Sequence, residues 1–203
     1  MTDATVFVVD DDDRVLRGTG RMLGALGYRV ELYTDARNFL AKHDPAVPGC
    51  LLLDLVLPDM DGLHIQQLLE INNEIRPVVF MSGCSDVGSA VRAMKLGALD
   101  FLIKPLSVDR VKPVVEVALR RDNEQRRRAQ ARRVAGTKLA RLTPREREVL
   151  PLLLTGMLNK QIAQSLGTVE KTIKVHRSRV FKKLGVSTLL ELERFIRAAE
   201  IDL

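Results

Sequence analysis

The segment TVFVVDDDDRVL, residues 5–16, sets an apolar, β-branched run directly before four consecutive aspartates. Neighbouring carboxylates repel by roughly 4 kcal/mol per close pair at an effective dielectric of 20. A fold that gathers them without a counter-ion is destabilised, so the reading of Asp10 to Asp13 decides what the N-terminal half is built to hold. The run before them is short, continuous and apolar, as in a strand covered on both faces. Four more strand-like runs follow: YRVELY (28–33), CLLLDL (50–55), PVVFMS (77–82) and DFLIK (100–104).

Helix-period segments separate these strands. Leu16, Met22, Leu23 and Leu26 recur at helical spacing before Gly27, which supplies a stop. Residues 63–72, 87–96 and 108 onward supply further helices. Strand and helix taking turns five times predicts an α/β domain, a parallel sheet covered on both sides by right-handed crossovers. On that scaffold Asp10 and Asp11 end the first strand, Asp54 the third, Ser82 the fourth and Lys104 the fifth. All lie at carboxyl ends, the edge at which open parallel sheets bind ligands. Carboxylates converging there suit Mg²⁺, which demands oxygen ligands in octahedral geometry. An aspartate beside that ion can attack an activated phosphoryl group while a hydroxyl and an ammonium take up charge on its oxygens. Asp54, Ser82 and Lys104 fit those three parts. Asp12 and Asp13 read as caps of the first helix, where carboxylates suit the positive end of the dipole.

Charge is distributed unevenly. Residues 1–119 hold 12 Lys+Arg against 17 Asp+Glu, whereas residues 120–203 hold 20 against 9. One end is suited to a cation and the other to a polyanion. No stretch reaches the roughly 18 apolar residues a membrane span needs, and the N-terminus lacks the regions of a signal peptide, so a cytoplasmic location is expected. Cys50 and Cys84 are too few and too far apart for a disulfide framework, and Cys84 reads as an inert thiol. His43, His64 and His176 share no metal-ligand spacing.

Beyond residue 106 a helix runs to about residue 133 and becomes a solvated helical linker, with seven arginines between Arg120 and Arg133 and an expected break at Gly136. The last segment is all helical signals. Thr143, Pro144 and Glu146 form a T-P-x-E start of cap, first-turn proline and capping-box acid. NKQIAQSLG is a short helix ending at Gly167, TIKVHRSRVFKKLG a longer basic one ending at Gly185, and a final helix starts near Thr188. That order is a helix-turn-helix. A helix in the major groove presents residues at i, i+1 and i+4 to base edges, which selects Lys174, Val175 and Ser178. Lys160, Arg177, Lys182, Lys183 and the amide of Thr172 lie where phosphates would pass. Pro151 falls inside the T-P-x-E helix and is expected to kink it at a cost of about 3 kcal/mol.

With VVDD, LLLDLVLPDMDG, VFMSG and FLIKP in place, residues 4–119 resemble the receiver domain of two-component response regulators. LTPREREVL, NKQIA and TIKVHRSRVFKKL resemble the LuxR-type helix-turn-helix. Together they resemble the NarL/FixJ class, and more closely its FixJ/StyR/TodT subgroup, because a long helical linker joins the two parts. The resemblance implies a flavodoxin-like, doubly wound five-stranded sheet at 1–119, a linker at 120–138 and an all-α four-helix domain at 139–203. It implies that Asp54 takes phosphate from a sensor histidine kinase, and that Asp10 and Asp11 hold Mg²⁺ with Asp54 and the Val56 carbonyl. It further implies that Lys104 precedes a cis proline, Pro105, and that Phe101 is the aromatic switch residue beside Ser82. A homodimer formed on phosphorylation, promoter DNA and RNA polymerase are the implied partners. Thr168 and Val169 depart from the family's apolar residue and serine before the recognition helix, so Thr168 is expected to cap it. Two rival readings are a Mg²⁺-dependent phosphohydrolase and a DNA-binding protein with a merely architectural receiver. Against the first, Val56 stands where a second catalytic acid would be needed, so no external turnover is expected.

Overall fold

The structure, a computed structural model, describes residues 4–72, 74, 76–83 and 87–200; Cys84 lies outside them. The chain divides into two compact units, Met1–Arg126 and Arg127–Leu203. In the first, β1 (Thr5–Val9), β2 (Arg29–Tyr33), β3 (Gly49–Asp54), β4 (Val78–Ser82) and β5 (Asp100–Ile103) alternate with α1 (Asp13–Ala25), α2 (Ala36–Lys42), α3 (Gly62–Ile71) and α4 (Val87–Lys95), before α5 (Val108–Ala140). All strand pairs are parallel and the order is β2-β1-β3-β4-β5. This is the flavodoxin-like doubly wound arrangement, whose strand order reverses between β1 and β3.

The pleat sorts the core. Phe7 and Val9 of β1 join Leu51, Leu53 and Phe80 on one face, under Phe39 of α2 and Ile65 and Leu69 of α3. Val6 and Val8 join Leu52, Val79 and Met81 on the other, under Leu16 and Leu23 of α1 and Val111 and Val115 of α5. β1, β3 and β4 are buried throughout, which is why their sequences read as unbroken apolar runs. Asp12 caps α1 by accepting from the Arg14 amide at 2.7 Å, and Asp13 lies in its first turn. Gly27, at φ 85°, follows the end of that helix.

Two local readings change. The helix α2 is an addition: seven residues long, it has too few turns for a period to show, and its signal is the Asp35 side chain, which accepts from the Asn38 amide at 2.7 Å. Gly136 does not end α5, which runs on to Ala140. A mid-helix glycine costs about 1 kcal/mol relative to alanine, less than neighbouring turns supply. A Cβ at Gly136 would meet nothing within 4 Å. Gly136→Ala is therefore expected to raise the unfolding free energy by about 0.5–1 kcal/mol, seen as a higher urea midpoint at unchanged m-value. At Pro151 the helix is unbroken, running from Pro144 to Leu154. The ring removes the one hydrogen bond that Arg147's carbonyl would receive, without ending the helix.

The segment 120–138 is shared between the two units. Asp122, buried, accepts from the Gly49 amide at 2.9 Å, and Arg126 reaches the carbonyls of Pro45, Ala46 and Val47 at 3.0, 3.0 and 3.1 Å. These bonds fasten α5 to the amino end of β3. In the second unit α6 (Pro144–Leu154), α7 (Asn159–Ser165), α8 (Glu170–Leu184) and α9 (Leu189–Ala199) enclose a core of Val149, Leu150, Leu153, Ile162, Ile173, Val180, Leu184 and Leu192. The T-P-x-E start is a complete capping box: the Glu146 amide donates to Thr143 Oγ1 at 3.3 Å and the Thr143 amide to Glu146 Oε2 at 2.8 Å. No described helix is long and apolar enough to cross a membrane.

Candidate functional site

Parallel register brings the acidic tips together. Val9 pairs with Leu53, so Asp10 and Asp54 leave adjacent strands side by side. Asp10 is fully buried, Asp54 nearly so, and Asp11 is exposed at the rim. One carboxylate oxygen from each of Asp10, Asp11 and Asp54 lies within 4.8 Å of the others. The Asp10 carboxylate accepts from the Asp12 amide at 3.0 Å, and Asp54 from the Val56 amide at 3.1 Å. Lys104 spans the pair, with Nζ 2.5 Å from Asp10 Oδ2 and 2.6 Å from Asp54 Oδ2. The Lys104–Pro105 bond is cis. Gly62 allows the chain to close tightly after β3, because a Cβ there would lie 2.5 Å from the Asp54 carbonyl oxygen.

The electrostatics follow from burial. Desolvation pushes the Asp10 carboxyl above its ordinary range, and the hydrogen bonds from Lys104 and the Asp12 amide only partly oppose it. Burial alone would lower the Lys104 ammonium, but its bonds to Asp10 and Asp54 outweigh that and hold it above its usual value. Three carboxylates against one ammonium leave a formal −2 in the notch. That deficit and the all-oxygen donor set match a hard divalent cation. Ser82, at the end of β4, is buried, and its carbonyl accepts from the Lys104 amide at 2.8 Å. Phe101 on β5 is half-buried and packs against the core face that holds Phe7 and Phe80. Val56 is exposed on the loop after β3.

In the second unit the surface of α8 separates two kinds of residue. Lys174, Val175, Ser178 and Lys182 are exposed, as is Lys160 on α7. Arg177 is half-buried, its guanidinium 5.2 Å from the Phe181 ring. Lys174 pairs with Glu170 at 3.0 Å, an ion pair between exposed side chains that contributes little to stability. Two residues read as phosphate contacts already have partners inside the protein. The Thr172 amide donates to the Val169 carbonyl at 3.0 Å, and Lys183 Nζ to Glu146 Oε2 at 2.6 Å. Spacing on a helix cannot tell an outward lysine from one folded back onto a buried acid.

The start of α8 differs from expectation. Val169, not Thr168, is the N-cap, and no side chain bonds the first-turn amides. The Thr168 amide instead donates to the Ala163 carbonyl at 2.9 Å, closing the end of α7. Val169→Ser is therefore expected to stabilise the full chain by about 1 kcal/mol, read as a rise in thermal midpoint.

Residues 6–116 match the response regulator receiver domain, and residues 140–196 match the bacterial regulatory proteins of the luxR family. The response regulator protein TodT of Pseudomonas putida is 36% identical over 193 residues, covering 94% of this chain and 84% of TodT. The transcriptional regulatory protein FixJ of Azorhizobium caulinodans is 38% identical over 196 residues, covering 97% and 93%. The solved structure of the response regulator StyR superposes with a TM-score of 0.85 at 37% identity, covering 97% of this chain and 99% of StyR. The acidic notch and the helix-turn-helix are thus the two ends of one known design, and the chain belongs to the two-component response regulators of the NarL/FixJ class, a receiver joined to a LuxR-type DNA-binding domain.

Proposed function

We propose that Asp54 accepts a phosphoryl group from a phosphohistidine of a sensor histidine kinase, and that this modification switches a transcription regulator. The observation that carries the reading is the formal −2 that Asp10, Asp11, Asp54 and Lys104 together place at one strand edge. An Asp54 carboxylate oxygen forms the new P–O bond; the P–N bond breaks and its electron pair stays with the imidazole. The Val56 amide and Lys104 orient the carboxylate beforehand. Mg²⁺ held by Asp10, Asp11, Asp54 and the Val56 carbonyl, when bound, would neutralise charge on the transferring oxygens. Ser82 and Lys104 then hold the phosphoryl group on the protein.

The modification adds about −1.5 to −2 charge. As Lys104 and Ser82 move to meet it, Phe101 turns further inward and the surface of α4, β5 and α5 changes. Val91, Met94, Ile103 and Val108 are exposed on those elements, which supports pairing of two receivers there. A homodimer would present two recognition helices to half-sites about one DNA turn apart. Lys174, Val175 and Ser178 would read bases; Lys160, Arg177, Lys182 and the first turn of α8 at Thr172 would meet phosphates. In this reading residues 1–119 form the receiver, 120–138 the linker and 139–203 the DNA-binding domain of a cytoplasmic regulator that acts on RNA polymerase at promoters.

The test uses acetyl phosphate with magnesium as donor. The chain should gain one phosphoryl group by intact mass, lose it slowly, show no turnover of a generic phosphate ester, and shift toward dimer in sedimentation. A chain that stays unmodified, or one that hydrolyses the ester catalytically, defeats the proposal.

A further inference from the structure

The recognition helix is held from behind, at its C-terminal end. Gly185 follows α8 in the left-handed conformation at φ 72°, leaving the helix's last carbonyls open to one side. Lys138, in the last turn of α5, fills that side. Its Nζ donates to the Leu184 carbonyl at 2.5 Å and lies 5.2 Å from the centre of the Phe195 ring on α9. The fit is close enough that a Cβ on Gly185 would lie 3.1 Å from the ammonium. Leu139, the next residue of α5, packs into the core beneath α8. Arg128 and Arg132, further back on the same helix, pair with Glu200 at the end of α9. A second pin comes from Lys183, whose ammonium is fixed on the buried Glu146 at 2.6 Å. The opposite end of α8, at Val169, has no side-chain cap. Ile173, Val180 and Leu184 seat α8 in the core along its length, and of its two ends the C-terminal one is the end held by side-chain bonds.

We infer that Lys138 is a positioning residue for sequence recognition: the last turn of α5 is a working part of the DNA-reading domain, and its ammonium sets the angle at which α8 presents Lys174, Val175 and Ser178. A lysine in this role differs measurably from one that touches phosphate. A phosphate contact contributes to counter-ion release and so to the salt slope of binding, whereas a positioning residue alters discrimination between sequences and leaves that slope alone.

The inference rests on the DNA-binding reading. The full chain, treated with acetyl phosphate and magnesium, is used to enrich a 30-base-pair duplex from a random-sequence pool. Affinity for the enriched duplex and for the random pool is then measured across salt for wild type, Lys138→Met and Lys138→Arg. Lys138→Met keeps the aliphatic stem and should lower the enriched-to-random affinity ratio by about fivefold or more. The salt slope on the random pool should stay at the wild-type value, and Lys138→Arg should restore most of the ratio. A proportional loss on both duplexes would reduce the residue to a stabilising role, and a slope lower by about 0.9 would make it a phosphate contact; either result overturns the proposal. So does an unchanged ratio. If the wild-type chain enriches no sequence at all, the DNA-binding reading itself fails and takes this inference with it.

Discussion

Asp54→Asn is expected to abolish phosphoryl uptake while leaving the chain folded. Incubated with acetyl phosphate and magnesium, the variant should keep its unmodified mass under conditions in which wild type gains one phosphoryl group. Two effects act in the same direction. The amide cannot serve as the attacking oxyanion, and the formal charge of the notch falls from −2 to −1, which weakens its hold on a dication. Stability responds far less. Lys104 retains Asp10 at 2.5 Å as a partner, and repulsion of Asp54 by Asp10 and Asp11 is relieved. The net change should lie within about 1 kcal/mol by urea unfolding. Induction of a target promoter in cells should then lose its dependence on the kinase. Uptake by the variant at the wild-type rate would move the acceptor to another residue.

The notch was legible in the sequence because each of its members stands where an apolar strand stops. Asp10, Asp54, Ser82 and Lys104 all follow runs with no packing reason to end in a polar group, and parallel strands deliver such ends to one edge. Alternation implied a parallel sheet covered on both faces, whereas its flavodoxin-like strand order rested on the family resemblance. What the sequence hid was of two kinds. Short elements leave no period, which concealed α2 behind its single cap, Asp35. Partners far apart in the chain leave no spacing, which concealed the Lys183–Glu146 and Lys138–Leu184 bonds: Lys183 reads as a phosphate contact, and Lys138 falls at the end of the linker. The Gly136 break failed because propensity is a weak local term against the continuity of a 33-residue helix.

The same blindness covers the group with the largest expected effect on stability. Glu74→Gln is expected to destabilise the chain by about 3–5 kcal/mol. Glu74 Oε2 lies 2.8 Å from His43 Nε2 and Oε1 2.7 Å from Arg76 Nε, with the three side chains 4%, 5% and 0% exposed. His43 Nδ1 lies 2.7 Å from the Phe39 carbonyl, so both ring nitrogens face acceptors and the imidazole is held as the cation. Arg76 also donates to the Asp44 carbonyl at 3.0 Å and lies 4.0 Å over the Phe7 ring. One carboxylate thus compensates two buried cations, and removing it leaves both. Burial alone would lower the His43 pKa, but its bonds to Glu74 and Phe39 outweigh that and raise it above 6.5. Burial would raise that of Glu74, but His43 and Arg76 hold it below 4.5. His43 therefore contributes fully below its unfolded pKa and loses its contribution as pH rises through the higher folded value. Glu74 contributes above its unfolded pKa and loses its contribution as pH falls through the lower folded one. The gap between wild type and Glu74→Gln should be widest between the two ordinary values, 4.5 and 6.5, and should narrow as pH rises beyond the upper one. Urea unfolding of both proteins across that range and above it measures the gap directly. A gap that stays flat on the alkaline side would mean that His43 is neutral in the folded chain, and that Arg76 alone depends on Glu74.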